Sequence, residues 1–221
     1  MESVHIFFLK ILHRPFPLML RCSTVVFCAP PTGNAHYVED VEAAMAHLTS
    51  TDNGLFFFTS SGSVYAENSG EAVNETSALT QNPRSQLLIE AERRVLSAGG
   101  CVLRLGGLYN AESSARVYCT DGGAFAASPR GLINMVHYED AAAAVMAAVR
   151  QPNAARGQVF LVADGVPLTR QEFVRPARDG GGVVFTGGEG VDGKRYSCEK
   201  IRQQLGWTPR YRSFQAFMES L

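Results

Sequence analysis

Thr59, Ser60, Ser61 and Ser63, followed by Tyr65, crowd four aliphatic hydroxyls and a phenol into positions 59 to 65. They follow directly on the apolar run Leu55-Phe56-Phe57-Phe58. A buried parallel strand reads as such a run, and open α/β sheets bind ligands beyond the carboxyl ends of their strands. Hydroxyls at that place suit hydrogen bonding to a ligand. A phenol suits proton transfer once a nearby cation stabilises its phenolate. Tyr65 serves as an acid if Arg84 lies close; otherwise it is a strand-end tyrosine packing on its loop. His137 reads either as a base or as a loop-ordering hydrogen-bond partner. Arg104 fits a bidentate contact to an anionic substrate, or an internal salt bridge to Glu75 or Asp140. Cys28 reads as a poor nucleophile, since a buried thiol in an apolar strand is ordinarily inert. A serine-hydrolase elbow would need G-x-S-x-G, and Thr59 stands where its first glycine belongs.

Composition narrows the classes. With 20 basic and 21 acidic residues the net charge is −1, no basic run interleaves with aromatics, and nucleic-acid binding is not expected. The five cysteines are odd in number and form no CxxC pair, so they read as reduced thiols, with no metal site. Lys10 and His13 interrupt the apolar N-terminus, which leaves too short a run for a membrane span. No small-residue cleavage site follows it, and a cytoplasmic location is expected. The acid-poor start also fits an organelle-import peptide. Val4–Leu9 reads as a strand.

The hydroxyls need elements to hold them, and from Ser23 onward strands and helices alternate, the pattern of βα units around a mostly parallel sheet. Strands are expected at Thr24–Ala29, Leu55–Phe58, Cys101–Leu105 and Val159–Val162, and Gly180-Gly181-Gly182 marks a loop before Val183-Val184-Phe185. Apolar spacing predicts a helix over 38–48. Asn82-Pro83 is an N-cap with proline at the first helical position, opening a helix to about Ala98 that Gly99-Gly100 stops. An Ala-rich helix spans 139–149, Thr169 and Glu172 form a capping box, and a last helix runs from Ser197 to Leu205 with Gly206 as its stop.

Five segments in order resemble the extended short-chain dehydrogenase/reductase family, the NAD(P)-dependent epimerases and dehydratases. They are Thr59–Tyr65, Asn74-Glu75-Thr76, Val102–Tyr109, Asn134–Asp140, and Lys200 through Leu205-Gly206-Trp207-Thr208-Pro209. The resemblance implies an α/β, Rossmann-like parallel sheet flanked by helices, with a small C-terminal lobe. It places Ser61 at the family's catalytic serine. It implies NAD or NADP, contacted from Ala29, Pro30, Thr59, Ser60, Leu105, Gly106 and Leu108. It further implies a small-molecule substrate and a homodimer built on helices 38–48 and 83–98.

Two departures accompany it. No GxxGxxG turn precedes Val25, and Gly33 is the first glycine of the chain. Thr24–Ala29 matches the family's fourth strand, so the chain reads as the C-terminal two-thirds of a member with its first βαβ units missing. That arrangement leaves Thr24–Ala29 as a sheet edge, against which Val4–Leu9 could pair. Residues 1–165 then form a partial Rossmann-like domain with an atypical segment at 1–22, and 166–221 form the C-terminal lobe and closing helix. The second departure is that no YxxxK occurs: Arg84 stands at the family's tyrosine position and Leu88 at its lysine. Two functions follow from this. One is an NAD(P)-dependent epimerase/dehydratase-like oxidoreductase; the alternative is a non-catalytic binding or regulatory protein on the same fold.

Overall fold

The computed structural model describes residues 22–49, 54–112, 124–175 and 183–221; the expected strand at Val4–Leu9 lies outside them. In chain order the first elements are β1 (Thr24–Phe27), α1 (Tyr37–Met45), β2 (Leu55–Ser61), a 3₁₀ turn (Gly62–Val64), β3 (Ala72–Val73), α2 (Pro83–Ser97), β4 (Cys101–Leu105) and β5 (Gly107–Tyr109). Then come β6 (Ala124–Phe125), β7 (Leu132–Ile133), β8 (Met135–His137), α3 (Tyr138–Val149), α4 (Pro152–Ala155) and β9 (Val159–Val162). The chain ends with β10 (Leu168–Thr169), α5 (Arg170–Val174), β11 (Val184–Phe185), β12 (Arg195–Tyr196), α6 (Glu199–Leu205) and α7 (Phe214–Glu219).

A four-stranded parallel sheet in the order β1-β2-β4-β9 forms the centre. This is the expected α/β architecture, with β1 at an edge among the described residues. Strand β2 runs three residues further than the apolar run: Thr59, Ser60 and Ser61 pair in register with Leu103, Arg104 and Leu105. Hydrogen bonding to β4 holds the backbone extended where the side chains turn polar, because a ladder depends on main-chain groups and not on hydrophobicity. Helix α1 ends at Met45, three residues earlier than its apolar spacing suggests, and Thr49 instead donates its amide to Cys22 at the start of β1.

Other local signals acted as read. The Asn82 side chain accepts the Arg84 amide with Pro83 at the first helical position. Both arms of the Thr169–Glu172 capping box form. Gly206 ends α6 in the left-handed region at φ 65°, which a glycine adopts without steric cost. Helix α3 buries Ala141, Ala144 and Ala148 along one face, a stripe small enough to let its backbone approach the layer beneath.

The two sheet edges differ. Strand β9 turns the backbone of Val159 and Leu161 away from β4, and side chains occupy those groups. Lys200 Nζ donates to the Val159 carbonyl at 2.8 Å, and the Leu161 amide donates to Glu75 Oε1 at 2.9 Å. Such contacts blunt an edge against further pairing. On β1, Ser23 faces β2 and takes the Leu55 amide, while the Cys22 backbone is closed off by His47 and Thr49. Thr24 and Val26 turn their backbone groups to the outer side of β1, where no strand pairs among the described residues.

Segments far apart in sequence are joined above the sheet. Strand β5 pairs with β8, β7 with β10, and β3 with β12. With β11 also paired to β6, the C-terminal strands β10, β11 and β12 pair with three earlier strands.

Candidate functional site

Ser61, at the carboxyl end of β2, is half-buried and caps the following turn: its Oγ accepts the Ser63 amide at 3.1 Å. The oxygen is thus fixed while the hydroxyl proton remains available to donate outward. Its register neighbour Leu105 ends β4, and Gly106 and Gly107 carry the chain across to Asn134. The Gly107 amide donates to the Asn134 carbonyl at 2.7 Å, and a Cβ on Gly106 would lie 2.8 Å from that same oxygen. Only glycine admits this crossing.

Asn134 then reaches into the C-terminal region. Its Nδ2 donates to the Lys194 carbonyl at 2.8 Å and its Oδ1 accepts the Tyr196 amide at 2.9 Å. Tyr196 returns to the strand end, where its hydroxyl stands in the space a Cβ on Gly62 would need. Ser61, Leu105, Gly106, Asn134, Tyr196 and Gly62 form a closed rim over the ends of β2 and β4. Asn134, Lys194 and Tyr196 were not legible as site residues, because the contacts joining them span about 60 to 130 positions and no local pattern encodes them.

The positions expected to face a coenzyme divide. Ala29, Pro30, Thr59, Leu105, Gly106 and Leu108 lie half-buried or exposed at or beyond the ends of β1, β2 and β4. The Ala29 carbonyl accepts the Tyr37 hydroxyl at 2.8 Å, and Thr59 Oγ1 donates to the Phe27 carbonyl at 3.4 Å. Ser60 differs, being buried in register with Arg104 on the sheet face covered by α2, where its Oγ has no partner. Among the described residues there is no glycine-rich turn for a pyrophosphate.

Tyr65 is 2% exposed, with its hydroxyl buried and without a partner in hydrogen-bonding geometry. The Arg104 guanidinium, not Arg84, sits against it, 4.9 Å from the ring centroid. Burial pushes this phenol up to about 12 despite the pull of Arg104. Arg104 itself is committed internally. Its Nη2 meets Glu92 Oε2 at 2.7 Å, its Nε is 3.1 and 3.2 Å from the two carboxylate oxygens, and its Nη1 donates to the Glu75 carbonyl at 3.4 Å. The internal ion pair therefore exists, but with Glu92 in place of the Glu75 carboxylate or Asp140. Glu75 turns its carboxylate to β9, and Asp140 accepts the amides of Arg210 and Tyr211 at 2.8 and 3.0 Å.

His137 caps α3, its Nδ1 accepting the Glu139 amide at 3.2 Å, with its ring among Tyr109, Tyr211 and Phe217. It orders this junction by hydrogen bonding. Arg84 is exposed and Leu88 buried, so α2 offers the site neither a phenol nor an ammonium. Cys28 lies just past the end of β1 and is exposed, not buried in the strand as its apolar neighbours suggest; desolvation around its sulfur nonetheless raises the thiol pKa, against the opposing hydrogen bond with Thr59.

One buried carboxylate gives a pH prediction. Asp164 is 4% exposed; Oδ1 accepts the Val166 amide at 2.8 Å, while Oδ2 has no partner. Burial lifts its pKa to about 6 against the pull of that amide. In the unfolded chain an aspartate titrates near about 3.9, so folding takes up a proton between about pH 4 and 6. Stability contributed by the protonated form is lost as pH rises through that window, by about 3 kcal/mol for a shift of about two units. Thermal melts from pH 4 to 7.5 should show Asp164→Asn gaining on wild type as pH rises. Parallel profiles would refute this.

No known family profile matches the sequence, and no curated protein matches it. Solved structures do match. MoeE5 in complex with UDP-glucose and NAD superposes with a TM-score of 0.76 at 16% identity, over 90% of this chain and 78% of that one. The epimerase Mth375 from Methanothermobacter thermautotrophicus gives 0.72 at 14% identity, over 90% and 70%. The dTDP-glucose 4,6-dehydratase of Bacillus anthracis in complex with NAD gives 0.68 at 16%, over 89% and 70%. The chain shares the Rossmann-like α/β fold of these structures.

Proposed function

We propose that this chain is a member of the NAD(P)-dependent epimerase/dehydratase group and binds NAD or NADP, together with a small-molecule substrate, at the carboxyl ends of β1, β2 and β4. The observation that supports this is Ser61: the parallel sheet brings its hydroxyl, with the Gly106–Gly107 crossing, to the end where α/β sheets bind ligands. Ala29, Pro30, Thr59, Leu105, Gly106 and Leu108 would line the nicotinamide side, and the coenzyme would supply hydride transfer. The likeness to structures that hold NAD agrees with the reading.

A second reading, binding without catalysis, is favoured by α2. With Leu88 in the core and Arg84 in solvent, no acid/base pair projects from that helix.

Coenzyme titration tests the common part. At about 100 times its dissociation constant, a bound coenzyme adds about 2.7 kcal/mol, which for a chain of this length raises the melting midpoint by roughly 5–11 °C. NADH and NADPH are titrated to millimolar concentration by thermal shift and by nicotinamide fluorescence. An unchanged midpoint with both would sink the coenzyme reading. A shift without turnover of any offered substrate would select the non-catalytic one.

A further inference from the structure

We propose that Tyr196 is the second hydroxyl donor of the strand-end site, acting with Ser61 to grip one oxygen of a carbonyl- or hydroxyl-bearing ligand. This rests on the binding-site reading above and assigns it a residue from the C-terminal part of the chain.

Three observations place it there. The Tyr196 hydroxyl lies against Gly62, the residue after Ser61, so closely that a Cβ at 62 could not be accommodated without displacing it. Its backbone is pinned by the Asn134 side chain from both sides, at Tyr196 N and Lys194 O. Lys194 Nζ donates to the Tyr65 carbonyl at 2.7 Å and ties the same segment to the turn after Ser61. The phenol is thus held at the rim by contacts to both flanks of its own strand.

The hydroxyl is also uncommitted. Among the described residues it has no hydrogen-bond partner, although its ring packs edge-on to Tyr65 at 6.4 Å between centroids. Burial raises its pKa above the ordinary phenol value. At neutral pH it therefore carries its proton and donates. Ser61 Oγ already accepts from the Ser63 amide, so its own proton points to a different acceptor. Two donors on one rim, neither satisfied by the protein, match a single ligand oxygen with two lone pairs.

The test uses the full chain labelled with [Cζ-¹³C]tyrosine, with NADH and UDP-glucose as probes. The Tyr196 resonance is assigned by its loss in Tyr196→Phe, a variant that keeps the ring packed on Tyr65. The expected result is that NADH binds wild type and Tyr196→Phe equally, and UDP-glucose added to the NADH-bound protein shifts the Tyr196 resonance. Tyr196→Phe should then weaken UDP-glucose binding at least tenfold, or about 1.4 kcal/mol. Gly62→Ala, which crowds the hydroxyl but keeps it in the chain, should produce a comparable loss. NADH binding with an unmoved Tyr196 resonance and an unchanged UDP-glucose affinity in Tyr196→Phe would overturn the assignment alone. Failure of NADH to bind wild type would overturn it together with the coenzyme-site reading.

Discussion

Glu92→Gln should cost about 3–5 kcal/mol of folding stability, the range for removing one partner of a buried ion pair. The pair is 5% and 2% exposed at its side chains, and Arg104 spends two of its nitrogens on Glu92. A glutamine can still accept a hydrogen bond, but it leaves the guanidinium charge uncompensated away from water. For a chain of this length the melting midpoint should fall by about 6–20 °C. The double variant Glu92→Leu/Arg104→Met tests the cause. Replacing both charges by apolar groups removes the stranded cation, so the double variant should melt well above Glu92→Gln. A double variant as unstable as the single would place the cost in lost packing or in the contacts Arg104 makes to Tyr65 and Glu75.

Phe58→Ala should cost about 3–5 kcal/mol through a different mechanism, a cavity at the centre of the sheet. Phe58 is fully buried in β2, with ring centroids 6.1 Å from Phe27 and 6.3 Å from Tyr37. Those two rings belong to β1 and α1, so the truncation loosens the edge strand and its helix together. Denaturant melts read the loss directly. Val25→Ala, at a half-buried position of the edge strand, should cost much less. Equal costs would show that β1 is as enclosed as β2.

Much of the scaffold was legible because its signals are local. The aromatic run before Thr59 gave β2, Asn82-Pro83 opened α2, Thr169 and Glu172 capped α5, and Gly206 closed α6. The end of β2 was misjudged because side-chain polarity was read as the strand boundary, whereas pairing with Leu103–Leu105 continues through Ser61. The partner of Arg104 was missed for a related reason. Glu92 sits in a helix rich in surface charge, where Glu90 pairs with Arg93 and Arg94, and spacing alone does not show which carboxylate turns inward. Ser61 was identifiable from its place after an apolar strand. Its neighbours on the rim were not, since Asn134 and Tyr196 reach it only through the folded path of the chain.

That rim also bears on the order in which the molecule is made. Its members come from positions 61–62, 105–106, 134 and 196, and the contacts that join them reach across the whole length between. During synthesis β1, β2 and β4 leave the ribosome long before Tyr196, so the sheet can assemble while its ligand end is still unfinished. Chains halted short of residue 196 would hold the sheet without the complete rim. Ligand competence would thus arrive late in the life of each molecule, and a bound ligand would report that synthesis had passed that point.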